Sequence, residues 1–224
     1  MIGSTATQRK ARILLVEDHP VTREGFAHLL DFEDDLEVCG QTGTAGEALQ
    51  AAEALNPDLV IVDISLAGRS GLDLIKDLGS RHPALPMLVL STHDETVYAE
   101  RVLAAGARGY VMKSEPIKGI LAAVRQVLEG KVYLSENMKE RLLGKLARMQ
   151  PATVGLDTAL LSDRELEVFR LLGQGRSTAE IAASLNVSQS TVATHRNHIR
   201  EKLNVNTMAE LVCRAAQWVQ SDHS

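Results

Sequence analysis

The stretch Asn56–Gly71 reads N-P-D-L-V-I-V-D-I-S-L-A-G-R-S-G. Pro57 punctuates the chain, Leu59–Val62 is an unbroken apolar run, and a Gly- and Ser-containing loop follows at once. Four apolar residues without alternation, rich in Val and Ile, suit a strand buried on both faces of a parallel sheet. Asp63 closes that strand. Open α/β sheets bind ligands just beyond the carboxyl ends of their strands, so a carboxylate there stands where chemistry is expected. A cap for the following turn would explain Asp63 equally well if it stood alone, so the other strand ends decide.

Working outward, Ile13–Val16 is a short apolar run that ends in Glu17-Asp18, and Pro20 suits the first turn of a helix to about Leu30. Leu36–Gly40 reads as a second strand, and Thr44-Ala-Gly-Glu47 as a capping box opening a helix to about Leu55. A helix over about Gly71–Ser80 follows the Asp63 strand. Pro86–Leu90 is a fourth strand ending in Ser91, with a helix over about Glu95–Gly106. Arg108–Met112 is a fifth, ending in Lys113; Ser114 can cap and Pro116 can open a last helix to about Gly130. Strands and helices alternating five times within about 120 residues predict a doubly wound α/β domain with a parallel five-stranded sheet.

With strands ordered 2-1-3-4-5, the first and third are neighbours, and Glu17, Asp18 and Asp63 converge. At ~4 Å and an effective dielectric near 20, each like-charged pair costs about 4 kcal/mol. Such a cluster needs a cation or must hold protons. All-oxygen donors select a hard ion, and magnesium, which keeps waters and accepts phosphoryl oxygens as ligands, fits best. Lys113 and Ser91 can meet further phosphoryl oxygens. The set reads as an apparatus for moving a phosphoryl group onto a carboxylate nucleophile.

Length and composition agree with a two-module globular chain. Its 224 residues are 45% hydrophobic and 24% charged. The two cysteines, Cys39 and Cys213, lie far apart with no C-x-x-C spacing, which argues against a disulfide framework or zinc site and for a reducing, cytoplasmic setting. Met1–Arg12 has no apolar segment of the signal-peptide kind, and no apolar run is long enough to span a membrane. Residues 1–130 hold 12 Lys and Arg against 19 Asp and Glu; residues 131–157 hold 5 against 3; residues 158–224 hold 7 against 7. An acidic front and a neutral back are expected as domains over 11–130 and 158–220, joined by a linker over 131–157 with a helix near Ser135–Met149, stopped by Pro151. Because the back half is not basic overall, any nucleic-acid reading rests on a local patch.

That back half opens with Ser162-Asp-Arg-Glu165, a capping box before Leu166, Val168, Phe169, Leu171 and Leu172. Ser177-Thr-Ala-Glu180 is another, opening a short helix; Asn186-Val187-Ser188 is a tight turn; and a longer helix runs on to Leu203. Two helices joined by so short a turn predict a helix-turn-helix in a small all-α unit. On the longer helix Val192, Ile199 and Leu203 make a buried stripe. The opposite face carries Ser190, Thr194, His195, Arg196, Asn197 and Arg200. Short polar residues flanked by Arg suit a helix in the major groove, although a merely solvated face would show the same periodicity. A final helix starts at Asn206 or Thr207.

Two resemblances sharpen this reading. The runs I-L-L-V-E-D-H-P, D-L-V-I-V-D-I-S-L-A-G-R-S-G, L-V-L-S-T-H-D-E and G-A-R-G-Y-V-M-K resemble the flavodoxin-like receiver domain of two-component response regulators. The resemblance implies that Asp63 accepts a phosphoryl group from a sensor histidine kinase. Glu17, Asp18, Asp63 and the backbone carbonyl of Ser65 would hold magnesium, Ser91 and Lys113 would contact the phosphoryl group, and Tyr110 would repack inward as the switch. Ala67 stands where the family usually has Pro. The run Leu161–Val205 resembles the LuxR-type DNA-binding domain, so the chain from about Ala11 to Trp218 looks like a NarL/FixJ-type regulator. By position, Ala193, Thr194 and Asn197 would face bases of promoter DNA, with Ser188, Thr191, Arg196, Arg200 and Lys202 near phosphates. Ala193 departs from a common family Lys, and the last helix would pair two copies as a homodimer. Two alternatives stay open on sequence: a phosphatase using Asp63 as nucleophile, and a regulator that binds DNA without phosphorylation.

Overall fold

The computed structural model describes residues 9–66, 69–148 and 158–221. The chain divides into two compact units, Met1–Lys139 and Glu140–Ser224.

The first unit is built on five parallel strands, β1 (Ala11–Val16), β2 (Leu36–Thr42), β3 (Leu59–Val62), β4 (Met87–Ser91) and β5 (Gly109–Met112), in the order β2-β1-β3-β4-β5. Helices α1 (Pro20–Asp31), α2 (Ala45–Leu55), α3 (Gly71–Arg81) and α4 (Glu95–Ala104) form the crossovers, and α5 (Ile117–Leu128) follows β5. All four residues of β3 are buried, as a strand covered on both faces by helices must be. Ile13, Leu15, Leu59, Ile61, Leu88 and Leu90 form one face of the core, against Ile120, Val124 and Val127 of α5.

Caps set the helix starts. The Thr44 hydroxyl accepts from the Glu47 N–H at 3.2 Å, but Glu47 reaches back to the Gly43 N–H rather than to the cap residue itself, so the expected box is half made. At α5 the first helical residue is Ile117 and Pro116 occupies the cap position without a side-chain bond. The extended backbone of Pro116, ψ 145°, places it one residue before the helix that it was expected to open.

Beyond α5 the chain stays with the sheet. Tyr133 bridges to Gly109, accepting from Tyr110 N–H and donating to the Arg108 carbonyl. Leu134 and Met138 are buried, and the Ser135 N–H donates to Glu95 at 3.0 Å. Helix α6 (Glu136–Arg148) begins there. Ala67, Met149, Pro151 and the rest of the expected loop to Asp157 lie outside the described residues.

The second unit is helical: a 3-10 turn at Thr158–Leu160, then α7 (Asp163–Gly173), α8 (Thr178–Ser184), α9 (Gln189–Lys202) and α10 (Met208–Ser221). Ser162 with Glu165, and Ser177 with Glu180, close both capping boxes reciprocally. Asn186 and Asn204 take left-handed backbone conformations after α8 and α9, where Asn is tolerated and continued helix is not. Phe169 packs against Trp218 at 5.6 Å between ring centroids. Gly173 lets α10 approach, because a Cβ there would lie 2.4 Å from the Ala215 carbonyl oxygen. Among the described residues no helix is long and apolar enough to cross a membrane.

Candidate functional site

Register brings the acids together. β1 pairs with β3 so that Val16 lies opposite Val62, and the next residues on each strand are Glu17 and Asp63. On the other side, β4 pairs with β5 so that Ser91 lies opposite Met112, and the Lys113 N–H donates to the Ser91 carbonyl at 2.7 Å. Four strand ends therefore present Glu17, Asp18, Asp63, Ser91 and Lys113 at one edge of the sheet.

The loop after β3 is held close. Gly71 N–H donates to the Ile64 carbonyl at 2.8 Å, and a Cβ on Gly71 would lie 2.1 Å from the Asp63 carbonyl oxygen. Only glycine allows α3 to start so near the acid. Ser70 caps α3 by accepting from Leu72 N–H.

Glu17 and Asp63 are almost wholly buried, at 2% and 4% exposure. Lys113 bridges them: its ammonium donates to Glu17 Oε2, and to Asp63 Oδ2 at 2.8 Å. Burial works against that charge, but the two carboxylates outweigh it and hold the Lys113 pKa above its ordinary value. Lys113 thus takes one oxygen from each acid and leaves the other. Asp63 Oδ1 is buried with no hydrogen-bond partner, a costly state for a carboxylate oxygen. Donor atoms from Glu17, Asp18, His19 and Asp63 lie within 4.8 Å of one another. His19, 70% exposed, places Nδ1 at 2.7 Å from Asp18 Oδ1 and 3.1 Å from Glu17 Oε1. A cluster of hard oxygen donors with an orphaned buried oxygen fits a divalent cation.

Next to the acids lies a group that the sequence reading did not single out. His93 is buried, stacks on Tyr98 at 5.1 Å, and shares a 2.6 Å hydrogen bond between Nε2 and the Ser65 hydroxyl. Its N–H donates to Ser91 Oγ at 3.2 Å, and its carbonyl accepts from the Tyr110 hydroxyl at 2.7 Å. Tyr110 is fully buried, and burial pushes its phenol far above the ordinary range. The hydroxyl bond to His93 holds the Tyr110 ring in the interior. His93 follows Ser91 by two residues on the rim where the other site residues sit, a spacing that places it there without disclosing its partners Ser65 and Tyr98.

In the helical unit, Ser188 caps α9, accepting from Thr191 N–H at 3.1 Å, and its hydroxyl also bonds those of Ser190 and Thr191. Val192 and Ile199 are buried, while Ala193, Thr194 and Asn197 are exposed. The cations of α9 have internal partners. Arg196 donates to Thr178 Oγ1 at 2.6 Å and contacts Met208 Sδ at 3.3 Å. Arg200 donates to the Asn206 carbonyl at 2.8 Å, and Lys202 to Glu165 at 2.6 Å. His195 is half-buried near Arg164 and Glu165, and burial holds its pKa below the ordinary 6.5.

Residues 13–125 match the response regulator receiver domain, and residues 159–215 match the bacterial regulatory proteins of the luxR family. The oxygen regulatory protein NreC of Staphylococcus carnosus (strain TM300) is 36% identical over 205 residues, covering 90% of this chain and 94% of its own. The chain is a two-component response regulator with a LuxR-type output domain. Among solved structures, this regulator resembles the response regulator ChrA of a heme-sensing two-component system, at 31% identity and a TM-score of 0.51. That likeness covers 93% of this chain and 98% of that one. It also resembles RcsB in its complex with DNA, at 25% identity, a TM-score of 0.56, and coverage of 93% and 98%. The sheet unit of this regulator is therefore its receiver, and α8 with α9 is the helix-turn-helix of its output domain.

Proposed function

We propose that this protein is a phosphorylation-controlled transcriptional regulator that works in the cytoplasm. Asp63 takes the phosphoryl group, and the modified receiver promotes pairing and promoter binding by the output domain. The observation that carries the reading is Asp63 itself: a buried carboxylate at a sheet edge, with one oxygen held by Lys113 and the other without a partner.

The chemistry follows from those groups. A carboxylate oxygen of Asp63 attacks phosphorus of a kinase phosphohistidine. The new O–P bond forms as the P–N bond breaks, and the bonding pair leaves with the imidazole. Lys113 stands beside the acid to neutralise a phosphoryl oxygen, and the Ser91 hydroxyl is within the same rim to hydrogen-bond another. Glu17, Asp18, Asp63 and the Ser65 carbonyl would hold magnesium, which supplies charge neutralisation to the phosphoryl oxygens when bound. Tyr110, Ser91 and His93 form one hydrogen-bonded set, so a change at the Ser91 hydroxyl is felt at the tyrosine. RcsB is solved on DNA, and α9 of this chain has Val192 and Ile199 buried and a polar face outward.

Acetyl phosphate labelling tests the acceptor. Wild-type protein with magnesium is expected to take up one phosphoryl group, and Asp63→Asn or excess EDTA to abolish it. Unchanged labelling of Asp63→Asn would remove Asp63 from the role.

A further inference from the structure

We infer that the operator read by α9 is A·T-based at the base pairs the helix touches. This inference rests on the DNA-binding reading. It starts from what the exposed face of α9 has left to offer. Gln189, Ala193 and Asn197 fall on one stripe at four-residue spacing, and Ser190 and Thr194 lie beside it; all five are exposed. The helix's own bonds commit several of their polar groups. Ser190 bonds Ser188, and Thr194 Oγ1 donates to the Ser190 carbonyl at 3.1 Å, so Thr194 offers its methyl. The cations Arg196, Arg200 and Lys202 are tied to Thr178, Asn206 and Glu165.

What remains is two side-chain amides and two methyl groups. An amide pairs bidentately with N6 and N7 of adenine, and methyl groups of Ala and Thr pack on the C5-methyl of thymine. Guanine is read chiefly by Arg or Lys, and cytosine by an acid. No such residue stands on the stripe from Gln189 to Asn197. Glu201, one turn further, lies in the last turn of α9, and a recognition helix docks by its N-terminal residues, which carries Glu201 away from base edges. Ala193 is central: a lysine at this position would supply a guanine-reading ammonium, and alanine substitutes a thymine contact.

The test uses the full chain, phosphorylated with acetyl phosphate and selected against a randomised duplex pool. Enriched half-sites are expected to carry A·T pairs where α9 faces the groove. Within the best site, 7-deazaadenine at one position per half-site should weaken binding about tenfold, and deoxyuridine for thymidine about threefold. Ala193→Lys, an exposed change that leaves the fold intact, should move one position per half-site to guanine. Half-sites with G·C pairs at those positions would overturn the inference while leaving DNA binding standing. So would indifference to both base analogues, or an Ala193→Lys protein with the wild-type preference. A pool retained with no enriched sequence would overturn this inference alone, and a protein that retains no duplex at all would overturn it and the DNA-binding reading together.

Discussion

Lys113 is the only cation bonded to both buried acids among the described residues, so its removal isolates charges that burial makes expensive. Breaking a buried pair by deleting one partner costs about 3–5 kcal/mol. Lys113→Gln should lower the stability of the metal-free receiver by an amount near the lower end, since the ammonium is 11% exposed. Magnesium should restore part of the loss. Calorimetry with and without magnesium checks both, and an unchanged receiver transition would show that the bridge carries no net stability. At the output domain, His195 gives a pH signature. Its folded pKa lies below the ordinary 6.5, so the unfolded chain binds the proton first. The contribution is therefore complete above that value and lost as pH falls below it. Trp218, the chain's single tryptophan, packs on Phe169 in the same unit, so its fluorescence during urea unfolding reports that unit. The midpoint should fall between about pH 7 and pH 5 in wild type and fall less in His195→Asn. Tyr110→Phe should cost about 1 kcal/mol for the lost bond to the His93 carbonyl, read as a shift in the receiver's midpoint.

At the scale of elements, the loop from β3 to α3 is the constrained one. Gly71→Ala puts a methyl against the Asp63 carbonyl at 2.1 Å, so the loop must move. A destabilisation of about 1–3 kcal/mol and a large fall in acetyl phosphate labelling are expected together. A stable protein with normal labelling would mean that α3 can start elsewhere at no loss. Elements were legible in the sequence wherever a single local signal fixed them. The apolar run Leu59–Val62 and the boxes at Ser162 and Ser177 landed within a residue or two of the observed boundaries. Pro116 landed one residue outside its helix, because one proline fits both a cap and a first helical position, and only the backbone path from β5 chooses. The site was legible in its acids, Ser91 and Lys113, since strand order alone brings strand ends together. His93 was not, because its role comes from Tyr98 and Ser65, residues that no sequence spacing links to it. The internal pairing of Arg196, Arg200 and Lys202 was equally hidden. Each partner comes from outside α9, and a helical wheel shows only which side a residue faces.

Across the whole molecule, the acidic receiver and the neutral output domain are separate compact units, so control of one by the other must appear as a coupling free energy between Asp63 and DNA. Arg200→Ala, by contrast, acts within the output domain. The guanidinium bonds the Asn206 carbonyl and is expected near a phosphate, so affinity should fall for every sequence and the salt slope flatten by about one unit. An unaltered slope would leave Arg200 as a purely internal tie. The coupling itself is read most directly by measuring affinity for a selected operator with full-length wild-type and Asp63→Asn protein. Each is titrated with magnesium alone and with magnesium plus beryllofluoride. A gain of about tenfold or more is expected in wild type on adding beryllofluoride, within the usual range of allosteric coupling, and none in Asp63→Asn. Equal affinities in all four titrations would contradict phosphorylation control and leave a regulator that binds DNA whatever the state of Asp63.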